Sequence, residues 1–326
     1  MLKTRITDLF GIQYPVVSAP MSGHSSATLA AAVSQAGGLG SFGALDPRGP
    51  DWVREQIRSI REQTERPFAV GLITPFIPML QGCFEAALEE RAAVIALSFS
   101  DPQPWLGRAK EAGALTMCQV QSMEGAAQAV EGGADVIVAQ GTEAGGHCGE
   151  MTLMPLLTRI ADRYPDTPLM AAGGIASGRG LAAVLSAGAD GAWVGTAFLA
   201  TPEATEVPGV YKERIIKSDG GETIYTRVYD LVDGMPWPPE IGARVYNNRF
   251  VREWHGRDDE IVAKREELRG LTSEAYQRDT EVAAVYMGQG VGDVTAIRPA
   301  AEVLRDICEG AERVLRERPG ELLAGS

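Results

Sequence analysis

Cysteine, histidine and aromatic side chains are scarce in this chain of 326 residues, which has four cysteines, three histidines and 6% Phe, Trp and Tyr. Cys83, Cys118, Cys148 and Cys308 stand at no paired or metal-ligand spacing. Neither a disulfide framework nor a metal site is therefore expected, and reduced thiols fit a cytoplasmic protein. No basic leader precedes an apolar segment, and no run reaches the roughly 18 apolar residues of a membrane span. Positive charge is also in deficit: 30 Lys and Arg against 43 Asp and Glu leave a formal charge of −13. Nucleic acid is thereby excluded as a partner, because its phosphates would be repelled. Any phosphate ligand must be held by local dipoles.

What the chain has in abundance is glycine, 38 residues of it, together with a 45% hydrophobic content. That combination suits one large α/β domain with many tight strand-to-helix turns. Four segments repeat the order helix end, glycine, apolar strand, with Gly37, Gly113, Gly133 and Gly188 just past the helix, where a left-handed backbone favours glycine. With the remaining apolar runs they give eight candidate strands, at 15–21, 38–45, 67–73, 93–99, 115–121, 136–142, 168–175 and 191–198. Most are continuous apolar runs, as parallel strands covered on both faces require, and amphipathic segments separate them. Eight β-α units in series predict a (β/α)8 barrel, with an open doubly wound sheet as the alternative. Gly38, Gly40 and Gly43 match the spacing of a dinucleotide fingerprint, but they follow a helix and build a strand, which is the wrong context.

In such a barrel chemistry collects at the C-terminal ends of the strands. Those ends carry Ala19, Pro20 and Met21 after the first strand, Gly71 on the third, Gln119 on the fifth and "GTEAGGHCGE" after the sixth. The seventh ends in "AAGGIASGRG" with Ala172, Gly173 and Gly174, and the eighth in Gly195 and Thr196. Bare amides at two adjacent helix starts form a candidate phosphate site, although glycines there also permit close packing. His147, in the sixth loop, is the candidate catalytic residue; an isolated loop histidine is otherwise a structural hydrogen-bonding group. His24 also lies on the rim, His255 sits among charges, and Arg179 is one turn into a helix. Glu143 is placed to orient the loop or the histidine, or else to sit in solvent. Cys148 adjoins His147, yet neighbours in an extended segment point apart, which argues against a Cys-His nucleophile pair.

The runs "APMSG", "GADVIVAQGTEAGGHCG", "LMAAGGIASGRG" and "GAWVGTAFLATPE" together resemble the nitronate monooxygenase family. The resemblance spans the barrel and implies FMN as cofactor, with a small-molecule nitronate or nitroalkane and O2 as substrates, and a carbonyl compound and nitrite as products. It implies that Ala19, Pro20 and Met21 run along the flavin ring and that Gln119 meets its pyrimidine side. It further implies that Gly145 and Gly146 let a loop pass over the ring and that Gly173, Gly174, Gly195 and Thr196 take the phosphate. Under this resemblance His147 stands over the ring, as a base toward a nitroalkane or an orienter of a nitronate. Similar barrels serve as NAD(P)H-dependent reductases of quinones or enoyl thioesters, which is the alternative activity; a non-catalytic phosphate- or nucleotide-binding barrel is another. Where the family often carries asparagine at the end of the third strand, this chain has Gly71.

Beyond the eighth strand the β-α rhythm stops. Residues 1–205 are expected to form the FMN-binding barrel and 206–280 a mainly helical lid over the substrate. Residues 281–326 supply a return loop, with Gly288, Gln289 and Gly290 near the cofactor, and a terminal helix. Trp237, Tyr246 and Tyr286 are candidate pocket walls, although aromatics in an insert more often form its core. The sequence leaves a homodimer open.

Overall fold

A computed structural model describes residues 2–323. Its strands are β1 (Val16–Ser18), β2 (Gly40–Gly43), β3 (Phe68–Ile73), β4 (Val94–Ser98), β5 (Leu115–Val120), β6 (Val136–Gln140), β7 (Gly146–Cys148), β8 (Leu169–Ala172), β9 (Gly191–Val194), β10 (Thr223–Thr226) and β11 (Gly242–Tyr246). Eight of these form one parallel sheet in the order β1-β9-β8-β6-β5-β4-β3-β2. A parallel bridge between Val17 and Leu39, with Ser18 N–H donating to the Leu39 carbonyl at 3.0 Å, joins the two ends. The fold is therefore a closed (β/α)8 barrel, and each expected strand lies inside its sequence window.

Burial explains why these segments take these forms. All five residues of β6, "VIVAQ", are buried, because one face meets the barrel interior and the other the surrounding helices. The helix Leu153–Arg163 buries Leu153, Leu156, Leu157 and Ile160, the i, i+3, i+4, i+7 stripe that one side of a helix presents. Burial of each such side chain contributes about 1.5–3 kcal/mol. Inside the barrel, Ile6 and Phe10 of the short helix Arg5–Phe10 join Val17, Met117 and Met170 in one cluster. Alanines at positions 69, 96 and 172 share that cluster. The dinucleotide-like glycines serve packing: a Cβ on Gly40 would lie 1.7 Å from the Ala30 carbonyl oxygen, and one on Gly43 would lie 2.4 Å from Ser22 Oγ.

The segment after β9 holds five helices, from Gly209–Ile215 to Arg265–Ala275, and also the strands β10 and β11. It has its own core, in which Val228, Tyr229, Val245, Phe250 and Trp254 pack together. β11 pairs antiparallel with both β10 and β7, giving a three-stranded sheet that crosses from the insert to the loop after β6. The stretch around His147 is thus a short strand, with His147 opposite Ala243, rather than a free loop. Arg244 reinforces the junction by donating to the Thr142 carbonyl. The terminal helix Ala300–Leu323 packs on the helix Gly178–Ser186, where a Cβ on Gly178 would lie 2.5 Å from the Gly310 carbonyl carbon.

Candidate active site

A cavity of about 570 Å3 opens at the C-terminal mouth of the barrel beneath the insert, within the ~300–1,000 Å3 range of small-molecule and cofactor sites. It is lined by Ala19, Pro20, Met21, Gly71, Gln119, Gly145, Gly146 and His147. Ala172, Gly173, Gly174, Gly195, Thr196, Gly288 and Gly290 complete the set brought together from the sequence. Gln289 is the exception. Its residue is exposed and outside the lining: it opens a short 3-10 turn, its backbone N–H donates to the Glu143 carbonyl at 2.9 Å, and within that turn Gly290 lines the cavity and Val291 is buried.

The rim glycines divide into two kinds. Gly173 and Gly174 have φ of +108° and +69°, so the chain turns sharply out of β8 before Ser177 caps the helix Gly178–Ser186. The amides of Gly173, Gly174, Gly195 and Thr196 meet no acceptor among the described residues. Unpaired N–H groups beside a helix start are an anion site. Gly145, Gly288 and Gly290 instead let loops interlock, since a Cβ on Gly145 would sit 2.5 Å from Gly288 N, and one on Gly290 2.5 Å from the Gly174 carbonyl oxygen. At Gly71 a Cβ would lie 2.3 Å from the Pro20 ring, so the volume that a larger residue would need is taken by Pro20. Trp193, on β9, also lines the cavity, and its indole N–H is buried with no acceptor among the described residues.

His147 is held from three directions. Its Nε2 lies 2.7 Å from Asp230 Oδ1, on the insert helix Val228–Asp233, with the two side chains 17% and 5% exposed. Its ring stacks on Trp237 at a 3.6 Å centroid distance and a 17° interplanar angle. Its carbonyl accepts from Gln140 Nε2 at 3.0 Å, and Gln140 Oε1 accepts from Gln121, so β6 and the residue that follows β5 fix the strand that carries it. Facing a carboxylate, Nε2 carries the ring proton, which leaves Nδ1 as the basic nitrogen. The second carboxylate oxygen, Asp230 Oδ2, is buried without a partner.

The other candidates separate clearly. His24 lines the cavity but sits against the rings of Tyr211 and Tyr286, at 5.4 and 5.8 Å, and burial lowers its pKa, favouring the neutral ring. Burial raises the phenols of Tyr211 and Tyr286 well above their ordinary value, so both remain protonated. Trp237 and Tyr286 are cavity walls, whereas Tyr246 turns away to Glu281 at 3.1 Å. Cys148 alternates away from His147 along β7 and is fully buried, which pushes its thiol up to about 12. Glu143 accepts from Leu153 N–H at the start of the helix Leu153–Arg163, so it holds the loop and not the histidine. Arg179 lies in a separate surface cleft with Arg318 and Glu321, away from the anion site. His255 is exposed, with Nδ1 2.9 Å from Thr226 Oγ1. Asp230 was not found from the sequence, where it is one acid in a helix 83 residues from the histidine it meets.

No described helix is long and apolar enough to cross a membrane, and no group of metal-ligating side chains occurs among the described residues. The chain is similar to a probable nitronate monooxygenase from Staphylococcus saprophyticus, with 30% identity over 306 residues covering 80% of this chain and 83% of that one. Among solved structures, FabK from Thermotoga maritima superposes with a TM-score of 0.88 at 32% identity, covering 98% of this chain and all of that one. A nitroalkane oxidase from Streptomyces ansochromogenes superposes with a TM-score of 0.81 at 29% identity, covering 96% and 99%. The family model described as nitronate monooxygenase matches residues 3–81 and 77–310. With barrel, cavity and sequence match in agreement, the chain belongs to the nitronate monooxygenase family, whose members are generally flavin-dependent oxidoreductases.

Proposed function

We propose that the protein holds FMN at the barrel mouth and oxidises alkyl nitronates with O2 to a carbonyl compound and nitrite, neutral nitroalkanes entering after loss of a proton to His147. The observation that carries this reading is the 2.7 Å contact between His147 and Asp230 at a cavity that also holds the unpaired amides of Gly173, Gly174, Gly195 and Thr196. The donor set suits a flavin mononucleotide. The amides would take its phosphate, and Gln119 and the backbone at Ala19–Met21 would meet its ring edges.

When bound, the flavin supplies the electron acceptor and the reaction with oxygen. The chain's own part is position, water exclusion and one proton. A nitroalkane α-proton passes to His147 Nδ1 while Asp230 faces the imidazolium so formed, an attraction stronger after proton transfer than before it. With a nitronate supplied ready-made, the same ring orients the nitro oxygens. Trp237, Phe99 and Tyr286 surround the imidazole and keep bulk water from it.

The test is to purify the protein, extract and identify its cofactor, and follow oxygen uptake and nitrite with an alkyl nitronate. FMN with nitrite formation is the expected result. A colourless protein that cannot be reconstituted favours a non-catalytic phosphate- or nucleotide-binding barrel. Rapid anaerobic bleaching by NADH, with no response to nitronate, favours a reductase of quinones or enoyl thioesters.

A further inference from the structure

Between the helix Val228–Asp233 and β11 lies the segment 234–240, "GMPWPPE", which runs from solvent to His147. Met235 and Trp237 line the cavity; Met235 and Pro236 are exposed, whereas Trp237 is buried. Both ends of the segment are fixed. Gly234 closes the helix at φ +70°, its N–H donating to the Asp230 carbonyl, and Arg265 Nε donates to the Leu231 carbonyl at 2.9 Å. At the other end Tyr225 Oη donates to the Glu240 carbonyl at 3.3 Å, and β11 is paired on both edges.

The stretch between them lacks such ties. Pro236, Pro238 and Pro239 carry no N–H, Met235 N–H donates back to the Asp230 carbonyl, Trp237 N–H to that of Met235, and Ile241 N–H to that of Pro238. Among the described residues no hydrogen bond joins positions 235–239 to the barrel. Ring contacts of Trp237 hold the segment there instead. The indole stacks on His147 at 3.6 Å and meets Phe76 at 4.7 Å and Phe99 at 5.2 Å, both edge-on.

The barrel side of this cage is built under strain. Phe99 and Ser100, just past β4, both have φ of +64°, a left-handed backbone that residues other than glycine rarely adopt. Such a conformation persists only where its surroundings impose it, and it clusters at clamps and switches. Here the Phe99 ring is buried and stands edge-on to both Trp237 and His147.

We propose that segment 234–240 is a gate, which pivots at Gly234 and at Pro239–Glu240, lifts the Trp237 ring out of the cage of Phe76, Phe99 and His147, and so admits and releases small molecules. The structure shows the closed position. Opening breaks one aromatic stack and no hydrogen bond to the barrel, and a left-handed glycine at a helix end absorbs the rotation. Its timescale is the μs–ms of loop gating. Closed, the indole covers one face of His147; open, that face is wet.

The test uses the flavin-loaded protein labelled with fluorotryptophan, with fluorine relaxation dispersion recorded for its five tryptophans. The Trp237 signal is the one missing from Trp237→Phe. Exchange on the μs–ms scale is expected at Trp237 and not at Trp254, which is equally buried in the insert's own core and so reports motion of the whole insert. Pro238→Gly favours the less ordered open state and should raise its population about 2- to 5-fold. Phe99→Leu removes an edge-on ring contact and should raise it about 2- to 10-fold. Anaerobic reduction of the flavin by dithionite, followed by absorbance, should accelerate in the same proportion, because the reductant enters by the gate. No exchange at Trp237 in any of these proteins, exchange shared by Trp254, or a reduction rate that stays constant while the open population rises would each overturn the proposal. None of these readouts uses a nitronate, so they stand if the proposed oxidation fails. A protein that retains no flavin would contradict the proposed function, and the fluorine spectra alone would then decide the gate.

Discussion

Replacing Asp230 by asparagine removes the carboxylate that faces His147 and little else in volume. The contact is 2.7 Å long between side chains 17% and 5% exposed, so it is a charge-assisted hydrogen bond with limited screening by solvent. Such bonds contribute about 1.5–3 kcal/mol net, which corresponds to roughly 10- to 150-fold in rate if the full amount is expressed only when the imidazole gains a proton. The structure therefore predicts that Asp230→Asn lowers kcat/KM for a neutral nitroalkane by about 10- to 100-fold and leaves oxidation of the corresponding nitronate within about threefold. The assay is nitrite release from matched pairs, 1-nitropropane and its preformed nitronate, at one pH under steady-state conditions. Equal losses on both forms would refute the reasoning, because a merely structural contact does not distinguish them. No loss on either would refute it as well.

Four further outcomes follow from the same geometry. His147→Asn should slow nitroalkane turnover by about 10²- to 10⁴-fold and spare the nitronate, measured in the same paired assay. Trp237→Ala removes the ring stacked 3.6 Å from the imidazole and should raise KM and lower kcat together by several-fold, whereas a change in KM alone would show that the indole only fills space. Gly145→Ala places a Cβ 2.5 Å from the Gly288 backbone nitrogen and should cost about 1–3 kcal/mol, seen as a lower thermal midpoint and weaker flavin retention. His24 has a folded-state pKa below its ordinary value, so the unfolded chain binds its proton first as pH falls. Stability should then decline below about pH 6.5, and His24→Gln should flatten that decline in thermal melts at pH 5.5 and 7.5.

The barrel was legible because its signals are local. Runs such as "VIVAQ" are too apolar for a surface strand, and the glycines that follow the helices mark each turn. The mouth was legible for a related reason, since glycines at 173, 174 and 195 sit where strands end. What escaped depends on long-range pairing. β7 is three residues long and contains a glycine, so no periodicity identifies it; it exists because β11 lies beside it. Asp230 carries no signal on its own, and only the sheet joining insert to barrel brings its helix over His147. Gln289 was grouped with its glycine neighbours by position, but at the opening of the 3-10 turn it is exposed and outside the cavity lining.

The central claim is that a flavin sits on bare amides at the mouth of this barrel and takes electrons from a nitronate beside His147. Anaerobic stopped-flow mixing of the purified, FMN-loaded protein with propyl nitronate in one syringe set and NADH in another tests it most directly. Loss of flavin absorbance with the nitronate, and little or none with NADH, is the result this account predicts. Bleaching by NADH with the nitronate inert would contradict it.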